Sequence, residues 1–592
     1  MSVQKKPNFL LIVADDLGFS DLGAFGGEIQ TPVLDKLAFE GVRFNQFYAA
    51  PACSPTRSML LTGTDNHIAG VGEMFETVAR TPVYREKPGH EGHLNDKVAA
   101  LPEILSDGGY TTIMSGKWHL GLLPHTFPVN RGFQKSYSLL PGCANHYGWE
   151  PQLKDENVDD IPGLFRFAAP ALHVVNDKYL DKLPDNFYSS DFYASKLIEY
   201  LEEHRSENET RDEKKPFFAY LPFTAPHWPI QAPRHLIEKY KGVYDEGPHV
   251  LREKRLRRQK DLGLIPEEVE AHPVIAPELS AWENLDDIQR KKSSRVMETY
   301  AAMVDRLDWN IGRVVENLKE KGELENTVII FMSDNGAEGA SFEARPLMGA
   351  NIEKHLAKFY NNSLENIGNY DSYTWYGPRW AQAATAPSKL FKAFTSEGGI
   401  HVPFIINYPD ISSELKGTIA KVFTTVMDIT PTLIDLAGLE LPDVNNFRGR
   451  KVEPVRGKSW KEYLKDPTNA QKIHESDDTV GWELFGNGAL RKGDWKITFL
   501  AKPFGDEIWR LYNIKNDPGE TKDLSEQEPE KYKELLNDWN IYAETSQVVG
   551  LSNQLKDVPV NEIDDETVWM KYERVNAFDI LRRVERGETI SA

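Results

Sequence analysis

The sequence of 592 residues has only two cysteines, Cys53 and Cys143. Two cysteines cannot form the disulfide framework on which small secreted domains depend. The chain also lacks any apolar run near the roughly 20 residues that a membrane-spanning helix needs. The early run Phe9 to Ala14 is too short for a secretory signal and leads directly into two aspartates. We therefore expect a cytoplasmic protein without a membrane partner.

Positive charge is also scarce, since 69 Lys and Arg residues face 90 Asp and Glu residues and leave a net charge of −21. Such a chain repels a phosphate backbone overall, so a nucleic acid is not an expected partner. An acidic protein can still contain a basic pocket. With 40% apolar residues and no low-complexity tract, the composition is that of a globular protein with an extensive core.

Two apolar runs, Phe9 to Ala14 and Thr327 to Met332, predict strands that are buried on both faces of a parallel sheet. Polar side chains follow each run: Asp15, Asp16, Asp334 and Asn335. Open α/β sheets bind ligands at the carboxyl ends of their strands. If the two strands are neighbours, these oxygen donors converge on a site that suits Ca²⁺ or Mg²⁺ better than zinc. The alternative is that they are ordinary turn and cap residues.

The stretch from Pro51 to Gly63 predicts a helix that begins at a reactive position. Ser54 can cap this helix, Pro55 suits its first turn and Gly63 can end it. Cys53 would then lie at the positive end of the helix dipole, which favours an anion and lowers the pKa of a thiol. The alternative is a small buried residue before an ordinary helix.

Five cationic or proton-carrying side chains accompany these motifs: Arg57, Lys117, His119, His227 and Lys392. Lys117 and His119 follow the predicted strand Tyr110 to Ser115, and they share one face if the extended backbone continues. Taken singly, each residue is more often solvated or structural. As a set, they supply the fixed positive charge that a tetrahedral oxyanion needs in a partly dry pocket.

The residues of these motifs resemble the conserved motifs of one enzyme family. Cys53-x-Pro-x-Arg57 is similar to the signature of type I sulfatases, of the alkaline phosphatase superfamily, in which this cysteine is oxidised to Cα-formylglycine. The other motifs occur in the family's order: Asp15-Asp16, Gly116-Lys-Trp-His119, Pro226-His227, Ser333-Asp-Asn-Gly336, and Lys392 before Glu397-Gly-Gly. The resemblance is to bacterial-type arylsulfatases and runs from about residue 7 to residue 545.

The resemblance implies an α/β fold, in which helices sandwich a large, mixed but mostly parallel sheet. It also implies a smaller C-terminal α+β domain around an antiparallel sheet. The Pro- and Gly-containing segment 441–457 gives the best boundary. We therefore expect a catalytic domain over residues 1–440 and a second domain with a terminal extension over residues 441–592.

The resemblance also implies a role for each site residue. Cys53, as a hydrated formylglycine made by a separate modifying enzyme, would be the nucleophile toward a small sulfate monoester, which we expect to be an aryl sulfate. The metal, Ca²⁺ or otherwise Mg²⁺, would be held by Asp15, Asp16, Cys53, Asp334 and Asn335. Among the others, Lys117 and Lys392 would bind sulfate oxygens, His227 would serve the leaving oxygen, His119 would accept a proton and Arg57 would fix charge and geometry.

Two other functions stay open on the sequence. Hydrolases of the same fold cleave phosphodiesters or phosphonate monoesters, and a chain with an unconverted Cys53 would be an inactive anion-binding homologue. Four tryptophans lie near the motifs and could line an aryl-accepting pocket, although aromatic residues are as often core: Trp118, Trp228, Trp375 and Trp380.

Overall fold

The computed structural model of the chain describes residues 6–154, 161–277, 280–340, 352–555 and 576–590. Within these ranges the strands are β1 (Asn8–Ala14), β2 (Val42–Phe44), β3 (Phe47–Tyr48), β4 (Thr111–Lys117), β5 (Lys135–Leu139), β6 (His173–Val175), β7 (Lys178–Tyr179), β8 (Phe217–Pro222), β9 (Thr327–Ser333), β10 (Phe404–Asn407), β11 (Ile419–Ala420), β12 (Thr424–Thr425), β13 (Thr479–Leu484), β14 (Asn487–Lys492), β15 (Trp495–Phe499) and β16 (Arg510–Asn513).

The α-helices in the same ranges are α1 (Pro32–Glu40), α2 (Cys53–Thr62), α3 (Phe75–Arg80), α4 (Leu101–Asp107), α5 (Ser189–Glu209), α6 (Arg234–Lys239), α7 (Pro248–Asp261), α8 (Asp287–Glu320), α9 (Ile352–Phe359), α10 (Pro378–Ala384), α11 (Glu397–Ile400), α12 (Ile429–Leu436), α13 (Lys461–Lys465), α14 (Pro529–Thr545), α15 (Ser552–Leu555) and α16 (Ala577–Glu585). A π-helical turn covers Leu164–Ala168. In the described part of the chain, no helix is both long and apolar enough to cross a membrane.

A ten-stranded mixed sheet forms the centre of the molecule, in the order β11-β2-β10-β9-β1-β8-β4-β5-β6-β7. Its five middle strands, from β9 to β5, run parallel to one another. β10 and β6 run antiparallel to the strands beside them. The prediction of a mixed, mostly parallel sheet is confirmed.

The apolar runs have no polar alternation because the sheet is covered on both faces. In β1, Leu10 and Ile12 belong to one core cluster, whereas Phe9, Leu11 and Val13 belong to the other. The long helix α8 packs its apolar stripe into the first cluster. Successive side chains of a strand point to opposite faces, so a strand between two cores must be apolar throughout.

The smaller antiparallel sheet expected near the C-terminus is also present. Its strands follow the order β13-β14-β15-β16, and each pair is antiparallel. α14 packs on this sheet through Leu535 and Trp539, which share a core cluster with Leu490 and Ile497. The fold class predicted from the sequence is therefore confirmed for both sheets.

One local prediction was wrong. Ser54 does not cap α2, because the helix begins at Cys53 and its N-cap residue is Ala52. The methyl side chain of Ala52 cannot accept a hydrogen bond. The Oγ of Ser54 lies buried inside the first turn without a hydrogen-bond partner. Gly63 ends the helix in the left-handed conformation, at φ 65°, as predicted.

Candidate active site

Cys53 is the first residue of α2 and is 1% exposed. Its Sγ lies 3.3 Å from Oδ1 of Asp15 and 3.7 Å from Oδ1 of Asp16. Both aspartates follow β1, so the start of the helix faces the carboxyl edge of the central sheet. The Cys53 thiol therefore contacts two carboxylates and is almost entirely shielded from solvent.

The four predicted metal residues converge because β1 and β9 are adjacent parallel strands, with Ala14 opposite Ser333. The backbone N–H of Asp16 donates to Oδ1 of Asp334 at 3.2 Å. The Nδ2 group of Asn335 donates to Oδ1 of Asp16 at 2.7 Å, while Oδ1 of Asn335 is buried without a hydrogen-bond partner. The strand register thus brings together oxygen donors that lie more than 300 positions apart in the sequence.

A glycine makes this convergence possible. A Cβ atom on Gly336 would lie 1.8 Å from the carbonyl oxygen of Gly398. The N–H of Gly336 donates to the carbonyl of Gly399, which ties the end of β9 to the start of α11. Any larger residue at 336 would therefore push Asn335 away from Asp16.

Each carboxylate of the cluster has a cationic partner. Nζ of Lys117 donates to both oxygens of Asp15, at 2.9 and 2.7 Å, and Nζ of Lys392 lies 2.8 Å from Oδ1 of Asp16. The guanidinium of Arg57 donates to Oδ2 of Asp334 from Nε at 3.1 Å and from Nη2 at 2.6 Å. The site therefore contains three buried ion pairs: Asp15 with Lys117, Asp16 with Lys392, and Asp334 with Arg57.

The segment before α11 fixes Lys392 from both sides. The backbone N–H of Lys392 donates to the carbonyl of Ala337, and the N–H of Ala393 donates to the carbonyl of Pro51. Pro51 lies two residues before Cys53. The backbone therefore holds Lys392 between the end of β9 and the start of α2, which the sequence alone does not indicate.

Burial and crowding shift the acidities of the cluster. Burial raises the pKa of Asp15 to about 6, against the opposing effect of Lys117, and it raises the pKa of Asp16 to about 8. Burial acts in the same direction on Asp334, but the charges of Arg57, Lys117 and Lys392 together outweigh it and keep that pKa below its usual value. Burial thus disfavours the ionised forms of Asp15 and Asp16 even though each carboxylate is paired with a lysine.

The prediction that the helix dipole lowers the pKa of the Cys53 thiol was wrong. Burial raises that pKa well above its ordinary value, and the neighbouring Asp15 raises it further. A dipole of about half a charge at the helix start cannot offset the loss of solvent and an adjacent carboxylate. An unmodified Cys53 is therefore a neutral thiol.

The two histidines face the cluster from different sides. His227 follows β8 and its Nδ1 lies 2.6 Å from the carbonyl oxygen of Trp228, which places the ring hydrogen on Nδ1. Its Nε2 lies 3.3 Å from Oδ2 of Asp16 and 3.4 Å from Nζ of Lys392. Burial and the charge of Lys392 hold the pKa of His227 well below its usual value, so the imidazole is neutral.

His119 follows β4, whereas the predicted metal residues follow β1 and β9. β4 ends at Lys117 and His119 has a positive φ of 56°, so the extended backbone does not continue as the sequence suggested. Nε2 of His119 lies 3.1 Å from Oε1 of Glu76, whereas Nδ1 has no hydrogen-bond partner. With the hydrogen on Nε2, Nδ1 is left with a free electron pair, and burial keeps the pKa of the ring below its usual value.

These groups open into a cavity of about 270 Å³. Cys53, His119, His227 and Lys392 form its polar end. The rest of the wall is largely apolar and includes Met74, Leu164, Ala168, Trp228 and Phe485. A small ester with an apolar leaving group fits this combination of a charged floor and apolar walls.

Sequence reasoning missed two acids in this wall, Glu76 and Glu338. Glu338 lies 2.9 Å from Nζ of Lys392 and accepts a hydrogen bond from Nε1 of Trp228 at 3.3 Å. Its position three residues after Asn335, just beyond a strand end, was the available signal. Glu76 belongs to α3 in a loop region without any motif, so nothing in the sequence points to it.

Of the four tryptophans considered, Trp228 lines the cavity and Trp375 packs against it, with ring centroids 5.8 Å apart. Trp118 and Trp380 are each 1% exposed, and their indole N–H groups bond within the core, to the carbonyl of Thr126 and to Oγ of Ser293. Two of the four are therefore core residues.

The donor set fits a hard divalent cation. Asp15, Asp16, Cys53 and His227 each offer one ligand atom, and these atoms lie within 4.8 Å of one another. The unpartnered Oδ1 of Asn335 adds a further oxygen beside Asp16. Carboxylate and amide oxygens are the ligands that Ca²⁺ and Mg²⁺ prefer. A site for zinc would offer more nitrogen or sulfur ligands.

Comparison with known proteins places the chain in context. Residues 7–439 match the family model described as Sulfatase, and residues 389–543 match the model described as N-sulphoglucosamine sulphohydrolase, C-terminal. An uncharacterized sulfatase of Schizosaccharomyces pombe is 51% identical over 549 residues, which cover 92% of this chain and 95% of that protein.

An arylsulfatase of Klebsiella aerogenes is 37% identical over 465 residues, covering 77% of this chain and 91% of that protein. Among solved structures, that of Ps i-CgsB in complex with k-i-k-neocarrahexaose is similar, with a TM-score of 0.61, 23% identity and coverage of 98% of this chain and 100% of that one. At that identity the likeness concerns the fold.

Proposed function

The chain belongs to the sulfatase family and is a sulfate ester hydrolase, and we propose that its substrate is an aryl sulfate and its nucleophile a formylglycine made from Cys53. The observation that carries the proposal is the position of Cys53, which lies at the start of α2 within 3.7 Å of two strand-end carboxylates. Three cations surround the same point. This arrangement supports in-line attack on an anionic tetrahedral sulfur.

We propose that Asp15, Asp16, Asp334, Asn335 and residue 53 hold a divalent cation, Ca²⁺ in preference to Mg²⁺. Bound there, the cation would lower the pKa of a hydroxyl on residue 53 and offset the buried carboxylates. Ca²⁺ is the better candidate because it tolerates an irregular set of oxygen ligands, whereas Mg²⁺ demands a near-octahedral one.

Removal of this cation tests the assignment by stability as well as by activity. Without it, the carboxylates of Asp15, Asp16 and Asp334 repel one another in a buried site. We expect chelation to lower the melting temperature by several degrees and to abolish hydrolysis, and added Ca²⁺ to restore both better than Mg²⁺. Full activity and an unchanged melting temperature in metal-free protein would refute the metal assignment.

The other residues have roles that their contacts support. Burial opposes the charge of Lys117 and Lys392, but Asp15 and Asp16 raise the pKa values of the two lysines above the ordinary value, so both stay charged. They are placed to hold sulfate oxygens. Arg57 bridges Asp334 and the carbonyl of Lys117, which fixes the geometry of the floor, since guanidinium does not titrate.

The histidines would move protons on opposite sides of the reacting group. Nδ1 of His119 carries a free electron pair toward the cavity wall and can accept a proton from the nucleophile side. His227 is neutral in the free enzyme because burial and the charge of Lys392 lower its pKa, and the negative charge of a bound sulfate would offset the effect of Lys392. We infer that His227 serves the leaving oxygen once the substrate is bound.

The formylglycine hypothesis has a physical basis in turnover. A hydrated formylglycine has two hydroxyls, so one can attack sulfur while loss of a proton from the other drives release of sulfate. A cysteine thiol has no second hydroxyl, and the raised pKa of Cys53 makes it a poor nucleophile as well.

Mass spectrometry of the peptide that contains residue 53, together with a turnover assay, tests the proposal. We expect the aldehyde or its hydrate in active preparations, hydrolysis of 4-nitrophenyl sulfate, and loss of turnover in C53A. An active enzyme with only thiol at position 53 would exclude the formylglycine route. Faster hydrolysis of a matched aryl phosphodiester or phosphonate monoester would favour that rival activity, and no turnover in fully converted protein would favour an anion-binding role.

Two further points stay proposals. We propose a catalytic domain over residues 1–440 and a smaller domain over residues 441–592, because the four-stranded sheet and α14 form from residue 479 onward. We also propose that a formylglycine-generating or equivalent enzyme acts on Cys53 as a partner.

A further inference from the structure

A second and larger cavity, of about 820 Å³, lies where the central part of the molecule meets the C-terminal sheet. Segments from both parts of the chain form its wall, among them the loop after β1, the loop after α7, the segment between β11 and β12, residues 471–476 before β13, and the loops at the ends of β14 and β16. None of the proposed catalytic or metal residues belongs to this wall. We name it the seam cavity. Its volume lies within the range of roughly 300 to 1,000 Å³ that small-molecule sites occupy.

Arg491, in β14, forms part of the wall and is 3% exposed. Its Nε donates to the carbonyl of Gly493 at 2.9 Å and its Nη2 to Oε1 of Gln46 at 3.0 Å. The guanidinium packs against two adjacent aromatic rings, 4.8 Å from the centroid of Tyr48 and 4.2 Å from that of Phe423. The group is therefore held in one orientation before any ligand arrives.

The charge of Arg491 is not balanced by a contact. Its Nη1 has no hydrogen-bond partner, and in the described part of the chain no carboxylate forms an ion pair with it. Glu397, which interacts electrostatically with Arg491, is itself paired with Lys496 at 2.7 Å. A buried cation without a counter-ion is costly, because the solvent that stabilised it has been lost.

The rim of the seam cavity adds to this positive charge. Lys421 and Lys472 are exposed and form no ion pair among the described residues, while Lys515 pairs with Asp494 at 3.7 Å. Glu475 is the other acid in the wall. A local excess of cations in a chain with a net charge of −21 is unexpected from composition and raises the local concentration of anions.

Much of the remaining wall is apolar, with Phe19, Leu264, Ile265, Phe423 and Ile473 among its residues. The combination of a preoriented guanidinium, a basic rim and an apolar wall matches an amphipathic ligand. Such a ligand would place its anionic group toward Arg491 and its apolar body against the side chains just named.

We propose that the seam cavity binds a small amphipathic anion, in which a carboxylate, phosphate or sulfate-like group is attached to an apolar body. This site is separate from the hydrolytic centre, and the proposal does not depend on the aryl substrate or on formylglycine. The three anionic groups share the chemistry that Arg491 recognises, so the anion type is a matter for measurement.

Calorimetric titration of the full-length protein with 2-naphthalenesulfonate tests the site, because its carbon–sulfur bond is not an ester and is not hydrolysed. 2-Naphthoate and 2-naphthyl phosphonate compare the other anionic groups, and neutral 2-naphthol reports the apolar contribution alone. We expect binding of at least one anion, with 2-naphthol at least tenfold weaker. The tightest of the three identifies the preferred anionic group.

Variants locate the binding event. We expect R491Q to weaken it at least tenfold, because one charge-assisted contact is lost, and K421E/K472E to weaken it at least threefold. K36E/K465E makes the same change of net charge at exposed lysines elsewhere and should leave it unaltered. K392A, in the catalytic cavity, should also leave it unaltered, and hydrolysis should persist in R491Q and in K421E/K472E.

If R491Q fails to fold, the exposed pair K421E/K472E decides the question. The proposal is wrong if no anion binds, if 2-naphthol binds equally well, if K421E/K472E retains the wild-type affinity, or if K392A alone removes binding. The last result would assign the event to the catalytic cavity. None of these outcomes bears on whether Cys53 is converted or on which ester is hydrolysed.

Discussion

At Cys53 the fold surrounds one small side chain with six charged groups that pair with each other: Asp15 with Lys117, Asp16 with Lys392, and Asp334 with Arg57. Buried ion pairs contribute little net stability, since the cost of desolvation cancels most of their attraction. Their value here is orientation, because the cations are already in place when a substrate arrives. The ion pairs around Cys53 therefore contribute more to the orientation of the charged side chains than to the stability of the fold.

His227 gives a test at this level. We expect H227N to reduce kcat by about 100- to 10,000-fold for phenyl sulfate and by less for 4-nitrophenyl sulfate. The reason is that a nitrophenolate leaves without a proton, whereas a phenolate of higher pKa needs one. Steady-state kinetics with both esters provide the measurement.

H235N is the control, because His235 is exposed on α6 and does not belong to the wall of the cavity beside Cys53. It should behave as the wild type with both esters. An equal fall in kcat for both esters in H227N would mean that His227 positions the substrate or the charged side chains around Cys53 and does not supply a proton.

The C-terminal helix α16 packs against the π-helical turn at Leu164–Ala168, and the ring of Phe578 is fully buried in the same core cluster as Leu164 and Phe165. Leu164 and Ala168 in turn form part of the catalytic cavity wall. A helix near the end of the chain thus supports a wall more than 400 positions earlier in the sequence. It acts by packing, without contact with the reacting atoms.

Loss of this packing should affect substrate binding more than chemistry. We expect F578A to raise KM for 4-nitrophenyl sulfate several-fold with a small change in kcat, because the truncation leaves a cavity behind the wall that costs about 3 to 5 kcal/mol of packing. E585A, at an exposed position of the same helix, is the matched control. A fall in kcat with unchanged KM would show that α16 acts on the catalytic floor instead.

His67 links two elements through buried ionic contacts. Nδ1 lies 2.9 Å from Asp65 in the loop after α2, and Nε2 lies 3.1 Å from Glu483 in β13. Burial opposes the charge on the ring, but its hydrogen bonds to the two carboxylates outweigh burial and raise the pKa of His67 to about 10. The protonated imidazole therefore joins the catalytic part of the chain to the C-terminal sheet.

A raised pKa makes this contribution dependent on pH. It is fully present below about pH 6.5, the value in the unfolded chain, and is lost as pH rises through about 10 in the folded protein. We expect the free energy of unfolding of the wild type to exceed that of H67Q by a few kcal/mol at pH 6 and by much less at pH 10. Urea unfolding at both values is the measurement.

H249Q, at an exposed position of α7, should show no such difference from the wild type. A gap between the wild type and H67Q that stays constant from pH 6 to pH 10 would contradict the prediction. It would indicate that the imidazole contributes by packing and not by its charge.

For the molecule as a whole, burial of Cys53 constrains the order of modification and folding. The residue is 1% exposed, and its neighbours Ser54 and Arg57 are buried with it. A side chain this buried is poorly accessible to a second enzyme in the folded chain. If Cys53 is converted, we therefore expect the conversion to take place before folding is complete.

We predict that a formylglycine-generating enzyme converts Cys53 in the urea-unfolded chain or in a peptide of residues 48–65, and that it does not convert the folded protein. Mass spectrometry of residue 53 after equal incubation times reports the difference. Conversion of the folded protein at the rate of the peptide would show that α2 opens readily. A peptide with C53A is the control for unrelated oxidation.

The two sheets also depend on one another. Nζ of Lys496, in β15, lies 2.7 Å from Glu397 and 2.9 Å from Glu520, and all three side chains are buried. Glu397 begins α11, shortly after Lys392 in the sequence. The C-terminal sheet thus neutralises an acid that belongs to the scaffold of the catalytic floor, so the two parts of the chain are not energetically independent.

Local patterns fixed much of the architecture. The apolar runs of β1 and β9 specify strands buried on both faces, because no polar residue interrupts Phe9 to Ala14 or Val328 to Met332, and the polar residues after them mark the edge where a ligand is expected. Cys53, Arg57 and Gly63 are identified by a short motif whose residues lie on one helix. Such features depend on neighbours within a few positions, which a sequence displays directly.

Only the tertiary structure decided how those residues act on each other. The pKa of Cys53 is raised and not lowered, because burial beside Asp15 outweighs the helix dipole, and burial is a property of the whole fold. Glu76, Glu338 and Arg491 have no motif, and their importance comes from neighbours that lie distant in the chain. Electrostatic and packing energies depend on distance in space, so they cannot be read until the chain has folded.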